Sequence, residues 1–321
     1  MNDKTQKLQQ LAQELLTSGE AKQIIGFRRG TEPYRSAPVF VTAPEDCGQL
    51  LIDCTCTQNL AAYVRKLPDK AAVVVKGCDA RALAVLLSEN QLKRNDLVII
   101  GVPCEGLVDV SKLKQIEGVT LDAVTSLEIE GGEVVVQMGD KTVRVPVADV
   151  LRDECLGCQC PTPPLADHMI GDAIAPRDEA KFRELQDKLE AMTQEEREAY
   201  FEGNFSRCIR CYACVRACPM CYCTTCFAIQ DKPQYVPRTV GLDENRMFHL
   251  GRAMHLAGRC VACGACDRAC PVDIPLRALN TKLASETKDL FGIEAGLSMD
   301  QKPPLVEFLP GDTEDVLDKA E

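Results

Sequence analysis

Residues 207–227 read RCIRCYACVRACPMCYCTTCF, a stretch with seven cysteines. Four of them, Cys208, Cys211, Cys214 and Cys218, precede Pro219 in the pattern C-x2-C-x2-C-x3-C-P. Cys260, Cys263, Cys266 and Cys270, followed by Pro271, repeat that pattern. Thiolates are soft ligands, and three of them at every third residue can wrap one cubane within a tight loop. The fourth, at the far end of the run, reaches the neighbouring cluster. The spacing therefore predicts two 4Fe–4S clusters. Cys208, Cys211, Cys214 and Cys270 hold the first; Cys260, Cys263, Cys266 and Cys218 hold the second. Structural zinc sites use cysteine pairs separated by a longer stretch, often completed by histidine, and two matched four-cysteine runs do not fit that scheme. Cys221, Cys223 and Cys226 are surplus to both sets. No histidine or carboxylate cluster lies beside them, so packing against the clusters is favoured over another metal site.

A second group of cysteines is scattered through the first half of the chain. Cys78 follows VVVKG and Cys104 follows VIIGVP. Both lie just beyond the C-terminal ends of predicted parallel strands, the edge where open α/β sheets bind ligands. Gly77, Gly101 and Gly106 allow close backbone approach there. CLGCQC supplies Cys155, Cys158 and Cys160, and DCTCT supplies Cys54 and Cys56 ahead of a helix. A third 4Fe–4S cluster is expected on Cys104, Cys155, Cys158 and either Cys56 or Cys78. Cys56 is preferred because free amides at a helix start favour an anionic group, whereas Cys78 and Asp79 can serve the strand-to-helix turn. Lys76 and Arg81 are candidate counter-charges beside Cys78, or ordinary solvated cations. No catalytic residue is assigned: His168, His249 and His255 are the only histidines, and none joins a recognisable Ser or Cys arrangement.

The elements that must position these thiols follow from periodicity. A helical leucine stripe (Leu8, Leu11, Leu15, Leu16) opens the chain, and QIIGF and PVFVT read as strands. AAVVVK (71–76), ARALAVLLSEN (80–90) and DLVIIGV (96–102) form a strand, a helix and a second buried strand, which is a parallel β-α-β unit. LEIE, EVVVQM and KTVRVPV, split by Gly131-Gly132 and Gly139-Asp140, predict an antiparallel meander on the sheet edge. Residues 176–201 are helical, with Phe182, Leu185 and Leu189 on one face and a capping box at Thr193 and Glu196 that restarts a helix. LDENRMFHLGRAMHLAG is a further helix whose Met247, Ala253, Met254 and Ala257 stripe is expected to face the core. The fold class is thus an α/β N-terminal domain with a partly parallel sheet, plus a C-terminal helical domain containing a two-4Fe–4S ferredoxin-like core. Expected boundaries are 1–175, a helical linker at 176–204, the cluster domain at 205–290 and a tail at 291–321.

The cysteine runs resemble two-cluster bacterial ferredoxins. Gly264 follows the second cysteine of its run as usual, and Tyr212 stands at the equivalent place in the other. CPMCYCTTCF followed by YVPR, a helix and the second run is similar to the iron–sulfur subunits of anaerobic sulfite reductases and sulfhydrogenases. IGVPCEG, and CLGC followed by ADHMIGD, resemble the beta subunits of deazaflavin-coenzyme hydrogenases and formate dehydrogenases. That likeness implies a 4Fe–4S cluster beside a flavin, with Cys104, Cys155 and Cys158 the matching ligands. It implies an electron-transfer subunit of an anaerobic oxidoreductase of formate dehydrogenase, hydrogenase or heterodisulfide reductase type. Its partners would be a catalytic subunit and another electron-carrier protein. The alternative is a subunit whose FAD exchanges hydride with a nicotinamide or deazaflavin coenzyme, although no G-x-G-x-x-G is present.

Composition narrows the partners. The chain has 321 residues and a formal net charge of −11, and it contains no tryptophan. An acidic chain poor in aromatics argues against nucleic acid. The polar start MNDKTQKLQQLAQELL and the lack of any long apolar run predict no membrane span and a cytoplasmic location. In a reducing compartment, nineteen cysteines are better metal ligands than disulfides.

Overall fold

The computed structural model describes residues 2–65, 67 and 69–302, and the expected acidic tail with Pro303-Pro304 lies outside them. Two compact units are present. One comprises the described residues up to Ala80 with Lys93–Glu184; the other comprises Arg81–Leu92 with the described residues from Leu185 onward.

The first unit is built on a five-stranded mixed sheet. Its strands are β1 (Gln23–Arg29), β2 (Ser36–Val41), β3 (Ala71–Val75), β4 (Leu97–Gly101) and, after three further strands, β8 (His168–Met169). Their order is β2-β1-β3-β4-β8. Only β2 runs antiparallel to its neighbour. β3 pairs in parallel with β1 and with β4, from Ala71 opposite Leu97 to Val75 opposite Gly101, and Ile100 pairs with His168 at the far edge. Every residue of β3 and β4 is buried, as expected of central parallel strands covered on both faces. Helix Gly77–Ser88 makes the crossover.

The meander departs from expectation. β5 (Ser126–Glu130), β6 (Glu133–Met138) and β7 (Lys141–Pro146) pair with one another as a separate three-stranded antiparallel sheet. Val134 and Val136 alternate onto its buried face, where they pack with Leu107, Leu113 and Leu151 in a core of their own. This small core satisfies the meander without an edge of the main sheet.

The second unit is helical. The capping box forms as read: Thr193 Oγ1 accepts from the Glu196 amide at 3.2 Å and Glu196 Oε2 accepts from the Thr193 amide at 2.9 Å, starting helix Gln194–Phe205. Helix Leu242–His255 buries Ala253 as expected but departs from the expected burial at its methionines. Met247 and Met254 are exposed, while Asn245, Phe248, His249, Arg252 and Ala253 are buried. The reason is polar supply. Asn245 Nδ2 donates to the carbonyls of Phe205 at 2.9 Å and Cys208 at 3.0 Å, so this face satisfies backbone groups of the cysteine loop. Arg81–Leu92 contributes Glu89, which accepts from Tyr222 Oη at 2.5 Å and from Arg259 Nη2 at 2.8 Å, immediately before Cys260.

Candidate metal centre

Both cysteine runs fold into the same loop. Arg210 and Tyr212 have φ of 53° and 60°, and their equivalents Ala262 and Gly264 have φ of 55° and 67°. In each loop the amide two residues on points back at the first thiol. Arg210 N donates to Cys208 Sγ and Ala262 N to Cys260 Sγ, both at 3.4 Å. A short helix follows, Ala213–Ala217 in one run and Ala265–Arg268 in the other. Tyr212 therefore adopts the left-handed geometry that Gly264 adopts without penalty, at roughly 1 kcal/mol of strain. Amides aimed at sulfur and turns that gather thiols suit anionic ligands to a cluster.

Each fourth cysteine lies beside the opposite run. Cys218 borders one cavity together with Cys260, Cys263 and Cys266. On the other side, Cys214 lies within electrostatic reach of Cys208, Cys211 and Cys270. Burial pushes the thiols of Cys214 up to about 11 and of Cys260 up to about 12, and neighbouring cysteines add to both shifts. Thiols so disposed ionise only with a compensating cation, which is what an iron core supplies, so the donor set fits a 4Fe–4S cluster in chemistry as well as number. Cys221 lies beside Cys218, whose thiol is its first hydrogen-bonding neighbour, and Cys226 packs in the aromatic core with Phe227 and Ile229. Cys223 is exposed. His249 stacks on Phe205 with ring centroids 4.9 Å apart, and burial, then the charges of Arg252 and Arg210, lower its pKa to about 4. It is a neutral core side chain. Sequence periodicity concealed Arg252 itself, because a buried arginine on an otherwise Met-striped helix carries no local signal.

In the first unit, the loop bearing Cys155, Cys158 and Cys160 passes over the C-terminal edge of the sheet. The Cys104 amide, just after β4, donates to the Pro161 carbonyl at 3.0 Å, and a Cβ at Gly77 would fall 1.7 Å from the Cys160 carbonyl oxygen. The Cys155 thiol is raised by burial first, and Cys104 and Cys158 are among the charges acting on it. Lys76 is buried at the same edge. Its Nζ lies 2.7 Å from Asp79 Oδ2, donates to the Gln58 carbonyl at 3.0 Å, and is also within reach of Cys78 and Cys104. Cys56 is also within reach of Lys76; the Asp53 amide donates to its Sγ at 3.4 Å, and its thiol faces Asp53 Oδ1 at 3.7 Å. Arg81, which belongs to the second unit, is a paired cation rather than a solvated one: it bonds the Ala295 carbonyl at 2.8 Å and Glu294 at 3.3 Å. His168 sits half-buried in β8. Next to the thiols at this edge, a cavity of about 880 Å³ is lined by Lys4, Arg28, Arg29, Lys76 and Cys104 among others.

Comparison with known proteins fits this division. Residues 69–214 match the family described as the C terminus of the beta subunit of coenzyme F420 hydrogenase/dehydrogenase. Residues 204–274 match the 4Fe-4S dicluster domain. The F420-dependent formate dehydrogenase subunit beta of Methanocaldococcus jannaschii is 24% identical over 341 aligned residues, covering 88% of this chain and 89% of the relative. The F420-dependent formate dehydrogenase 1 subunit beta of Methanococcus maripaludis is 25% identical over 351, covering 90% of each. This chain is a homologue of these beta subunits. A chain of the xenon-derivatised F420-reducing [NiFe] hydrogenase complex from Methanosarcina barkeri aligns with a TM-score of 0.42 and 15% identity, covering 63% of this chain and 86% of that one. The beta-subunit homologue thus carries an iron–sulfur dicluster segment. The matches do not carry the narrower likeness to sulfite reductase and sulfhydrogenase subunits.

Proposed function

We propose that this beta-subunit homologue is the iron–sulfur electron-transfer subunit of an anaerobic oxidoreductase of formate dehydrogenase type. The carrying observation is the grouping of eight motif cysteines into two crossed sets of four, one of which frames a single cavity. In this reading Cys208, Cys211, Cys214 and Cys270 hold one 4Fe–4S cluster, and Cys260, Cys263, Cys266 and Cys218 hold another. Cys104, Cys155, Cys158 and one further cysteine hold a third. That cysteine is Cys56 or Cys78, both within reach of the buried Lys76. When bound, such clusters store and pass single electrons. The chain's own work is to fix their thiolates, aim amides at sulfur and exclude water. A catalytic subunit and a second electron carrier are the partners, and the cytoplasm the location. Among the described residues no helix is long and apolar enough to cross a membrane.

A second reading draws on the 880 Å³ cavity, where Arg28 stands beside three cations paired with carboxylates, Lys4 with Glu105, Arg29 with Asp53 and Lys76 with Asp79; it makes the chain a subunit whose FAD exchanges hydride with a deazaflavin or nicotinamide coenzyme. One experiment separates the readings. Anaerobically purified protein is analysed for iron, zinc and flavin absorbance, and titrated with a one-electron reductant. The proposed function expects iron without zinc, reversible one-electron bleaching and a co-purifying catalytic subunit. Zinc in place of iron would overturn it, and stoichiometric flavin would favour the second reading.

A further inference from the structure

Arg252 is a buried arginine of the second unit that lies between the two cysteine sets. It is 6% exposed. Nη2 donates to the Cys214 carbonyl at 3.2 Å, which ties it to the first cysteine set. The same side chain lines the cavity framed by Cys218, Cys260, Cys263 and Cys266, which ties it to the second. Its Nε has no hydrogen-bond partner among the described residues. Three other arginines nearby face carboxylates, whereas the buried Arg210 bonds the Glu244 and Pro237 carbonyls. Arg259 pairs with Glu89, Arg277 faces Asp267, and Arg246 faces Glu198 and Glu202. No carboxylate pairs with Arg252 among the described residues; the groups that hold its charge against burial are Cys221, Cys218, Cys266 and Cys214.

A buried cation without an anionic partner is strongly disfavoured, so such a group persists where an anion belongs beside it. A cubane held by four thiolates is net anionic, and one added electron makes it more so. A fixed positive charge in a low-dielectric interior then favours the reduced form. We propose that Arg252 is a counter-charge shared by the two clusters of the second unit, raising the reduction potentials of both together. This rests on the two-cluster reading above. It gives the buried polar face of helix Leu242–His255 a purpose that packing alone does not. Arg252 lines the cavity of the second set but meets the first only through the Cys214 carbonyl, so the second cluster is expected to respond more strongly.

The test uses the full chain, purified anaerobically, with redox titrations followed by paramagnetic resonance. The two signals are assigned by Cys211→Ser and Cys263→Ser. Iron content and the presence of two signals in the parent test the two-cluster reading; the midpoints test Arg252. With iron content unchanged, Arg252→Met should make reduction of the second cluster at least tenfold less favourable, a midpoint lower by about 59 mV for one electron. The first cluster should shift in the same direction by less, and Arg252→Lys should keep both midpoints near the parent. Unchanged midpoints in a fully loaded Arg252→Met protein, or a shift confined to one cluster, would overturn the proposal. Should Arg252→Met lose iron, Arg252→Gln and Arg252→Lys decide. Iron retained only by lysine supports a need for charge, whereas iron lost from all three, or retained by glutamine with parental midpoints, reduces Arg252 to a scaffold.

Discussion

In the second unit, three thiols of each set come from one short loop, and the backbone of that loop already points amides at sulfur in both copies. In the first unit, Cys78, Cys104 and the pair Cys155 and Cys158 are far apart in sequence, and the proposed third site draws on them only because β3, β4 and the returning loop share a sheet edge. A locally built site is specified by spacing and left-handed turns. A tertiary site is specified by the sheet register and by whatever allows a loop to lie against it, here the missing side chain of Gly77. The two should therefore fail differently.

The largest effect expected is on metal content. Cys155→Ser should lower iron from about twelve to about eight per chain, on four irons per cubane, while both signals of the second unit persist. Iron and sulfide analysis checks this, and an unchanged count would demote the first unit's cysteines to packing. Gly77→Ala attacks the same site through backbone alone. Its Cβ would sit 1.7 Å from the Cys160 carbonyl, so the loop must move, at a cost of about 3 kcal/mol or more. Denaturant unfolding should register that loss, with the first unit's cluster lost ahead of the other two.

The third prediction concerns pH. The pKa of His249 falls from 6.5 to about 4 because of burial first and then the charges of Arg252 and Arg210. Its folded pKa lies below its unfolded one, so the contribution to stability is complete above pH 6.5 and is lost as pH falls toward 4. His249→Phe should lose about 2–3 kcal/mol less stability than the parent across that window. Equal losses would mean that the ring is protonated in the fold. The smallest effect compares the two loops directly. Gly264→Ala, at φ 67°, should cost about 1 kcal/mol. Tyr212→Gly should recover less than that, because Tyr212 packs edge-on to Phe248 with centroids 5.5 Å apart. Thermal unfolding of the pair measures the difference.

Much of this was legible in the chain. The β-α-β unit, the Thr193 capping box and the position of Cys104 beyond its strand are all local patterns, and each forms as read. What was not legible depended on partners distant in sequence. The methionine stripe of helix Leu242–His255 looked like a core face, yet the loop carbonyls that Asn245 serves drew the polar face inward. The place of Arg81–Leu92 in the second unit has no compositional mark. The meander read correctly as strands but not as a separate sheet, since the core formed by Val134, Val136 and Leu113 becomes visible only in three dimensions.

The crossed ligation of the second unit is the central claim, and paramagnetic resonance of reduced Cys218→Ser protein tests it most directly. The account predicts that Cys218→Ser alters the signal that Cys263→Ser also alters, and leaves intact the signal that responds to Cys211→Ser and Cys270→Ser. A Cys218→Ser change appearing instead in the Cys211 signal would contradict it.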